Sequence, residues 1–323
     1  MPRVVVQIVT HNNAATLGDC IDSVRAQEVE CDLLIIDNAS TDGTQAVALQ
    51  RGAPILCLEH NLGYSAAHNL ALTQTASEYV LTLNPDARLM PGFVQALMDA
   101  LDADETIGSA AGCVLRVESL AGPPQGIDSA GLYMRRSRRQ GLRAENHTPQ
   151  DCPDLPQPIF GPDGSAAFYR RAMLEDIRVL GEIFDEDFFL QKEDVDICWR
   201  AQLRGWRSIY VPGALAWHIR TFRPGRRRGV NPLLRYYGVR NRYLLMLKND
   251  VTPVLRRDWW RIGLYDLAVF AYVLLLERSS LASFSAAWRL RRRMLEKRRA
   301  IQAGRRVDAA AMAVWFQSPP LNG

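Results

Sequence analysis

Three carboxylates lie within four residues of one another in the stretch FFLQKEDVDICWR, residues 188–200. They are Glu193, Asp194 and Asp196, and large apolar side chains flank them on both sides. Mutual repulsion and burial both raise the pKa of a carboxyl group unless cations or hydrogen bonds compensate. A carboxylate with a raised pKa can serve as a general base near neutral pH. The alternative interpretation is structural, because acidic side chains also stabilise the first turn of a helix.

The composition indicates a folded globular protein. The chain has 323 residues and is 48% hydrophobic, which is enough for one large domain or two domains of ordinary size. An apolar strand pattern begins at Val4 without the features of a signal peptide, so we expect a cytoplasmic location. Six cysteines are scattered without a Cys-x-x-Cys pair. The sequence therefore predicts buried or free thiols, and neither a zinc site nor a disulfide framework.

The net charge of +4 hides an asymmetry along the chain. Residues 220–323 contain 22 Lys and Arg against 6 Asp and Glu, whereas the rest of the chain contains 17 against 29. A basic tail of this kind fits nucleic acid, an anionic membrane surface or an acidic ligand. The arginines here are interleaved with large aliphatic surfaces, and no nucleic-acid-binding motif is present. These two features argue against nucleic acid as the partner.

Short apolar runs alternate with amphipathic segments near the start of the chain. Strands are predicted at residues 4–9, 33–36, 55–58 and 79–83, and helices at 17–25, 44–49 and 66–73. This series predicts an α/β fold with a mostly parallel sheet and helices on both faces. Ligands of such sheets bind beyond the carboxyl ends of the strands. Polar residues follow all four strands at these ends, namely Thr10, His11, Asn12, Asp37, Asn38, His60, Asn61, Asn84 and Asp86.

Other segments can be interpreted in less detail. No Gly-x-Gly-x-x-Gly follows these strands and no P-loop motif occurs, so dinucleotide binding and P-loop hydrolysis lose their support. Residues 120–162 are rich in Pro, Gly and Arg and predict loops or an irregular hairpin over the site. We expect the helix that carries the acidic cluster to run to about Leu203 and to stop at Gly205. Two short strands should follow it, ending at Trp217 and His218.

Helices are also predicted in the basic tail, at residues 236–247, 259–276 and 286–300. The apolar run 262–276 is interrupted by Asp266 and is shorter than the roughly 20 residues of a membrane-spanning helix, so no transmembrane segment is predicted. Its apolar faces, with nearby tryptophans and many arginines, fit a helix lying in a membrane interface. Packing on the rest of the chain or on a second subunit of a homodimer is an equally good interpretation.

Six motifs occur in the order and approximate spacing of family 2 glycosyltransferases, and the chain resembles the bacterial rhamnosyltransferase-like members of that family. The resemblance covers roughly residues 1–249, and its motifs are VVVQIVTHNNAATL, LLIIDNASTDGT, NLGYSAAHN, LTLNPDA, GSAAFYRR and FFLQKEDVDICWRAQLRGWRSIYVPGALAWH. The resemblance implies a GT-A fold, which is Rossmann-like, in residues 1–230. Residues 231–323 would form a basic amphipathic helical extension.

The resemblance also implies an activity, which is inverting transfer of a sugar from a dTDP- or UDP-linked donor. The leading candidate is L-rhamnose from dTDP-rhamnose, moved to a hydroxyl of a lipid-linked or cell-envelope glycan. The enzyme would act at the inner face of the cytoplasmic membrane as a peripheral protein. Two alternatives remain open: a nucleic-acid-binding protein that uses the basic tail, and a nucleotidyltransferase or sugar-nucleotide hydrolase on a similar sheet.

Individual roles follow from the same resemblance. Asp194 matches the catalytic base, and Glu193 and Asp196 would support it or contact substrate hydroxyls. The metal-binding Asp-x-Asp of the fold is Asn84-Pro85-Asp86 here, so Asp86 is the expected ligand of Mg²⁺ or Mn²⁺. His218 would be a further ligand or a diphosphate contact. Donor-binding positions would be Thr10, Asn12, Asp37, Asn61, Gly63, Asn69 and Asn84, and acceptor-side or supporting positions would be Gly164, Ser165 and Trp217.

Overall fold

A computed structural model describes residues 2–220 and 230–317 of the chain. Residue 1, residues 221–229 and residues 318–323 lie outside the described residues. Part of the predicted basic tail, including the arginines in 221–229, therefore lies outside them as well.

The first four predicted strands and three predicted helices are confirmed. The strands are β1 (Val4–Thr10), β2 (Cys31–Asp37), β3 (Ile55–Cys57) and β4 (Tyr79–Leu83), and the helices are α1 (Leu17–Arg25), α2 (Thr44–Gln50) and α3 (Tyr64–Thr73). These strands are parallel neighbours in the order β3-β2-β1-β4. All seven residues of β1 are buried, as expected for a central strand covered on both faces. The polar strand ends therefore meet along one edge of the sheet.

The second half of the sheet is mixed. Its strands are β5 (Ala87–Leu89), β6 (Ile107–Arg116), β7 (Gly126–Ser129), β10 (Gln157–Pro158), β11 (Ala166–Arg170) and β12 (Arg207–His218). The same part of the chain forms the helices α4 (Phe93–Asp102), α5 (Arg171–Asp176) and α6 (Glu193–Arg204), and a separate two-stranded sheet of β8 (Leu132–Met134) and β9 (Gln140–Leu142). Strand β11 lies between β4 and β6 and is antiparallel to both, whereas β12 is parallel to β6. The α/β class is confirmed, and the sheet combines a parallel half with a mixed half.

Helices cover both faces of this sheet. Residues of α1 and α4 share one apolar core with the sheet, including Leu17, Ile21, Phe93 and Leu97. Residues of α5 and α6 form a second core against the opposite face. The helix that carries the acidic cluster ends where it was predicted to end, because Gly205 takes a left-handed φ of 85° after the last turn. The carboxylates at the other end of α6 are thereby fixed next to the strand ends.

Two predictions about this region are wrong. The two short strands expected before His218 form one strand, β12, whose pairing with β6 shifts register between Tyr210 and Leu215. Pro212 and Gly213 lie within that irregularity, so they interrupt the pairing without ending the strand. Cys113 and Cys152 form a disulfide, because the loop after β9 folds back onto β6 and brings two cysteines together that are 39 residues apart.

Within residues 230–317, the described part of the tail, there are four α-helices: α7 (Pro232–Asn249), α8 (Thr252–Leu276), α9 (Ala282–Ala303) and α10 (Ala309–Val314). Helices α7 and α9 share an apolar core with α6, in which Leu244 and Met294 lie near Trp199. Packing on the rest of the chain, one of the two interpretations of the tail, therefore holds for these helices. The segment 231–317 is continuous in its packing with the helix that carries Asp194.

Helix α8 differs from its prediction. It is 25 residues long, has a mean hydropathy of 1.4 over its most apolar stretch and is only 11% buried there. By length and composition it is able to cross a membrane, so the expectation that this segment is too short was wrong. The helix begins seven residues earlier than predicted, and this added part contains Arg256, Arg257 and Asp258 before the apolar stretch.

Candidate active site

Asp194 lies in the first turn of α6, where backbone N–H groups surround its carboxylate. Its Oδ2 accepts a hydrogen bond from the N–H of Gly164 at 3.1 Å, and its Oδ1 accepts one from the N–H of Val195 at 2.7 Å. The side chain is only partly buried, so a substrate hydroxyl can reach it. Burial and the nearby charge of Asp163 outweigh these hydrogen bonds and raise the pKa of Asp194. These are the properties that a general base requires.

Glu193 precedes Asp194 but has a different environment. The residue is 8% exposed, and its Oε2 is buried without a hydrogen-bond partner. Burial first, and the charge of Asp194 second, raise the pKa of Glu193 to about 8. It is therefore less accessible to an acceptor than Asp194.

Two cationic side chains of the protein compensate part of the negative charge of the acidic cluster, and both pair with Asp196. Arg200, one helical turn later, lies 2.8 Å from the Asp196 carboxylate, and Lys248 of α7 lies 2.9 Å away. Asn249 donates a further hydrogen bond of 2.7 Å. Asp196 is fully buried and fully engaged, so its part in the site is to anchor α6 to α7.

Asp86 and His218 come together at the opposite side of the strand ends. His218 Nε2 lies 3.3 Å from Asp86 Oδ1, and its Nδ1 lies 2.8 Å from Asp128 of β7. Burial lowers the pKa of His218, but the hydrogen bonds to Asp128 and Asp86 outweigh it and raise this pKa to about 10. Asp128 also accepts a hydrogen bond from Arg220 at 2.8 Å. It is a residue that sequence reasoning missed, since it lies in an irregular segment 90 residues before His218.

The geometry of Asp86 and His218 fits a divalent cation that shares its ligands with a substrate. Asp86 and a neutral imidazole are suitable donors for Mn²⁺, so the cation would have to displace the Nε2 proton of His218, while Asp128 would hold the imidazole in place as an outer carboxylate. Within residues 2–220 and 230–317, no cluster of three or more His, Cys, Asp or Glu side chains is arranged to hold a metal. Phosphate oxygens would have to complete the coordination sphere.

The loop after β1 and the loop after β2 are joined by hydrogen bonds. Asn12 has a φ of 59°, and its Oδ1 accepts a hydrogen bond from the N–H of Thr41 at 2.8 Å. Asp37 is fully buried at the end of β2, where its Oδ2 accepts from Ser40 N–H at 3.2 Å and from Gln45 at 2.7 Å. The other oxygen of Asp37, Oδ1, has no partner within the described structure. Asp37 therefore closes a local turn at the end of β2, and one of its acceptor atoms remains beside that turn.

Thr10 is also buried at this edge, where its hydroxyl donates to Asn13 at 3.2 Å. It lines the base of the same loop pair, next to Asp37 in the register of β1 and β2.

Tyr64 lies at the centre of the site and was not predicted as a functional residue. Its hydroxyl is 3.4 Å from Asn84 Oδ1, at the end of β4, and 3.4 Å from the carbonyl oxygen of Gly164, next to Asp194. Asn84 in turn lies 3.5 Å from His218 Nε2. Tyr64 therefore connects the Asp86 side of the site to the Asp194 side. The signal was present in the motif NLGYSAAHN, but a tyrosine at a helix start has no distinctive chemistry in sequence.

Asn61 and Gly63 shape the turn before Tyr64. The side chain of Asn61 accepts a hydrogen bond from the N–H of Gly63 at 2.9 Å. Gly63 has a φ of 85°, and a Cβ there would lie 2.5 Å from the ring of Phe189, so only glycine fits.

Three predicted residues have other contacts. Asn69 bonds to the backbone of Phe184 and to Glu186, which holds the segment before α6. Ser165 is buried and donates to Asp163. Trp217 alternates with His218 along β12 and therefore faces the other side of the strand, where Arg88 lies over its ring at 5.6 Å.

A cavity of about 900 Å³ lies away from these residues. It is bounded by the β8–β9 hairpin, the loop that contains Cys152 and the segment around Trp315, and none of the predicted site residues lines it.

Comparison with known proteins agrees with the geometry. The pattern of the family described as Glycosyl transferase family 2 matches residues 5–178, and that of Glycosyl transferase family group 2 matches residues 142–317. The chain is 29% identical over 228 residues to the N-acetylglucosaminyl-diphospho-decaprenol L-rhamnosyltransferase of Mycobacterium tuberculosis, covering 62% of this chain and 70% of the relative. It is 23% identical to the poly-beta-1,6-N-acetyl-D-glucosamine synthase of Staphylococcus aureus, covering 65% and 48%.

Solved structures share the fold at low sequence identity. A mannosyltransferase from Pyrobaculum calidifontis in complex with GDP-Man and Mn²⁺ has a TM-score of 0.52 and 18% identity, with 97% of this chain and 87% of that chain covered. GalNAc-T7 with UDP, GalNAc and Mn²⁺ has a TM-score of 0.59 and 15% identity, and the chain spans 48% of its length. The GT-A fold class is confirmed by these neighbours. The chain belongs to glycosyl transferase family 2 and is a glycosyltransferase.

Proposed function

We propose that the chain is an inverting, metal-assisted glycosyltransferase whose reaction lies between Asp194 and the Asp86–His218 pair. The observation that carries this proposal is the chain of contacts from His218 through Asn84 and Tyr64 to Gly164, whose N–H binds Asp194. It supports a single site with a base on one side and an anion-binding group on the other.

The residues divide the chemistry between them. Asp194 would accept the proton of an acceptor hydroxyl as that oxygen forms a bond to the anomeric carbon of the sugar. The bond from this carbon to the phosphate oxygen breaks on the opposite face, and its electron pair leaves with the nucleoside diphosphate. A divalent cation bound at Asp86 and His218 would supply charge stabilisation to the diphosphate. Attack and departure on opposite faces invert the anomeric centre.

The unpartnered oxygen of Asp37 supports a role in binding the nucleotide. It lies at the carboxyl end of β2, where open α/β sheets bind their ligands. An N–H group of the nucleotide's heterocyclic base would donate a hydrogen bond to this buried Asp37 oxygen, whose loss of water is otherwise uncompensated.

The donor and acceptor classes follow from the relatives. The mycobacterial relative is named as an L-rhamnosyltransferase that acts on N-acetylglucosaminyl-diphospho-decaprenol. By this likeness we infer dTDP-rhamnose as the donor and a lipid-linked glycan as the acceptor.

A donor screen tests the activity. Wild-type protein with Mn²⁺ would be given dTDP-rhamnose, UDP-sugars and GDP-sugars, each with and without a polyprenyl-diphosphate N-acetylglucosamine acceptor. We expect release of nucleoside diphosphate that requires the acceptor and is fastest with dTDP-rhamnose. Release that ignores the acceptor would indicate a hydrolase.

Titration calorimetry tests the metal. Asp86→Ala and chelation should both weaken the binding of dTDP or UDP, because each removes the link between protein and diphosphate. Asp22→Ala, an exposed carboxylate on α1, serves as the control. Equal affinity with and without chelator would remove the cation from the mechanism.

Helix α8 supports peripheral binding to a membrane. One face of this helix packs on the protein through Val254, Asp258 and Ile262. Asp258 is buried against Arg138 at 2.8 Å, and Asp266 lies 2.8 Å from Arg242 of α7. These contacts hold α8 along the protein surface, which fits an orientation in the membrane plane better than a spanning one.

The opposite face of α8 is apolar and exposed. It presents Trp259, which is 69% exposed, with Leu267 and Leu275 further along the helix. Exposed arginines on α8 and α9 would face anionic lipid headgroups. Vesicle sedimentation should show binding that rises with anionic lipid and weakens, without vanishing, at high salt. A stable dimer that ignores vesicles would assign this face to a second subunit instead.

A further inference from the structure

We propose that Asn241 of α7, assisted by Arg240, is a positioning residue that fixes Asp194 by holding the catalytic loop, defined here as residues 187–192. This inference rests on the function proposed above, in which Asp194 is the base. It assigns a task in the reaction to a helix of the basic tail.

The catalytic loop has an unusual backbone. Phe189, Gln191 and Lys192 have φ values of 63°, 66° and 71°, and none of them is glycine. The left-handed region is unfavourable for residues with a Cβ, so such a loop persists only where its surroundings hold it. Lys192 directly precedes α6, and any change in the loop therefore moves the first turn, which carries Asp194.

Asn241 makes most of the hydrogen bonds that hold the catalytic loop against α7. Its Nδ2 carries two N–H donors and lies within hydrogen-bond distance of three loop carbonyls, at 2.9 Å from Phe188, 2.8 Å from Leu190 and 2.8 Å from Gln191, so one N–H is shared between two of them. The residue is fully buried. Arg240 adds a hydrogen bond of 3.0 Å to the Phe188 carbonyl and another to that of Asp187. Since strained loops expose carbonyls that no helix or strand satisfies, one amide group compensates for three of them.

The carbonyl of Phe189 is bound from the other side of the loop, by the start of α3. The oxygen of Phe189 accepts a hydrogen bond from the N–H of Tyr64 at 2.5 Å. The ring of Phe189 stacks on Tyr237 of α7 at 5.1 Å, and its edge lies against Gly63. The catalytic loop is therefore held between the turn at Gly63 and α7. The ends of the loop have further contacts, because Lys297 of α9 lies 2.8 Å from Asp187 and Lys192 donates to Gln140 of β9 at 2.6 Å. Removing Asn241 would therefore free the middle of the loop while its ends stay held.

Two substitutions test this role. Asn241→Asp keeps the size of the side chain but replaces the donor nitrogen by an oxygen that faces three carbonyl oxygens. Asn241→Ala removes the donor without adding charge, and it serves if the first variant fails to fold. The matched control is Leu245→Ala, one turn further along α7, because Leu245 is 1% exposed in the apolar core and cannot hydrogen-bond to the loop.

The two variants are compared with the control at temperatures equally far below each melting temperature. We expect kcat to fall by about 10- to 100-fold in the Asn241 variants, because small displacements of a catalytic group cost rates of that order. The Kd of the nucleoside diphosphate and the acceptor KM should change less than about threefold, which corresponds to ~0.7 kcal/mol. Leu245→Ala should lower the melting temperature while kcat stays within the same limit.

Hydrogen exchange gives a readout that does not depend on turnover. Amides of residues 193–195 should exchange faster in Asn241→Ala than in Leu245→Ala. Unchanged exchange, or an equal loss of kcat in the control, would overturn the positioning role. A wild-type protein that transfers no sugar would overturn the proposed function instead, and the exchange result would still decide whether Asn241 holds the loop.

Discussion

Helices α7 and α8 follow one another in the chain but place their side chains differently. Helix α7 buries polar and charged groups, whereas α8 exposes large apolar ones. Helix α7 places Asn241 and Lys248 in the interior, at 0% and 1% exposure. Helix α8 presents Trp259 and Leu267 to the outside, at 69% and 64% exposure. Buried polar groups are retained only where partners satisfy them, and the partners here are the catalytic loop and the acidic cluster. Large exposed apolar faces indicate a partner outside the fold.

The difference leads us to propose two tasks for the basic tail. Its first helix completes the site, because Lys248 binds both Asp185 and Asp196 around the start of α6. Its second helix would bring the site to a membrane-bound acceptor. The positive charges of the tail therefore fall into two groups. Some are paired with carboxylates in the interior, and others are exposed at the surface.

The largest effect is expected when the buried charge of α7 is removed. Lys248→Met leaves Asp185 and Asp196, which are 3% and 0% exposed, with fewer cations in a medium of low polarity. Breaking a buried ion pair from one side typically destabilises by about 3–5 kcal/mol. Urea unfolding measures this loss. Leu267→Ser on the exposed face of α8 should change the free energy of unfolding by no more than about 0.5 kcal/mol, and equal losses would erase the contrast between the helices.

Glu193 should behave in the opposite way, because the neighbouring charge of Lys192 lowers its pKa less than burial raises it. Burial and the charge of Asp194 raise the pKa of Glu193 to about 8, so the folded state holds a proton that the unfolded state releases above its pKa of 4.5. Stability from this group therefore falls as the pH rises from 4.5 to 8.

Glu193→Gln should remove that fall and raise stability at pH 8 by up to about 4 kcal/mol, as a pKa raised from 4.5 to about 8 implies. Thermal melts at several pH values measure it, with the exposed Glu296→Gln as the control. A melting temperature that keeps its pH dependence in Glu193→Gln would mean that Glu193 is ionised in the folded protein.

The exposed face of α8 predicts a smaller effect that concerns only binding. Trp259→Ser combined with Trp260→Ser removes aromatic surface that would enter the membrane interface, and vesicle affinity should fall about tenfold, or ~1.4 kcal/mol. Leu49→Ser, an exposed leucine on α2, should leave it unchanged. Sugar transfer to a soluble acceptor analogue should stay the same in both variants. Unaltered vesicle binding in the double variant would detach α8 from the membrane proposal.

The smallest effect is expected where the two helices meet. Arg242 of α7 and Asp266 of α8 lie 2.8 Å apart, but the Asp266 side chain is 23% exposed. Partly exposed ion pairs contribute about 1 kcal/mol or less. Asp266→Asn should therefore lower the free energy of unfolding by no more than about 1 kcal/mol, measured by urea unfolding beside Lys248→Met. A larger loss would show that α8 is anchored as firmly as α7.

The strands at the start of the chain could be predicted because each signal was local. An apolar run followed by a polar residue indicates both the strand and the place where a ligand binds, as in β2 and Asp37. The acidic cluster was equally visible, since three carboxylates in four residues need an explanation wherever they occur. Local chemistry and position in the fold agreed at these residues.

The remaining parts of the site depend on contacts between distant segments. Asp128 reaches His218 across 90 residues, and Asn241 reaches the catalytic loop across 50 or more. Neither residue has a pattern around it that indicates a site. The disulfide was missed for the same reason, because the pairing of Cys113 with Cys152 follows from a fold-back of the chain that spacing does not encode.

The most direct test of the account is the single-turnover rate of Asp194→Asn with its native donor and acceptor, measured beside calorimetric binding of the nucleoside diphosphate. The amide preserves the shape of the side chain but cannot accept the proton of the acceptor hydroxyl. The account predicts a rate about 10²- to 10⁴-fold lower with nucleotide affinity nearly unchanged. A variant that transfers sugar at the wild-type rate would show that Asp194 is not the base.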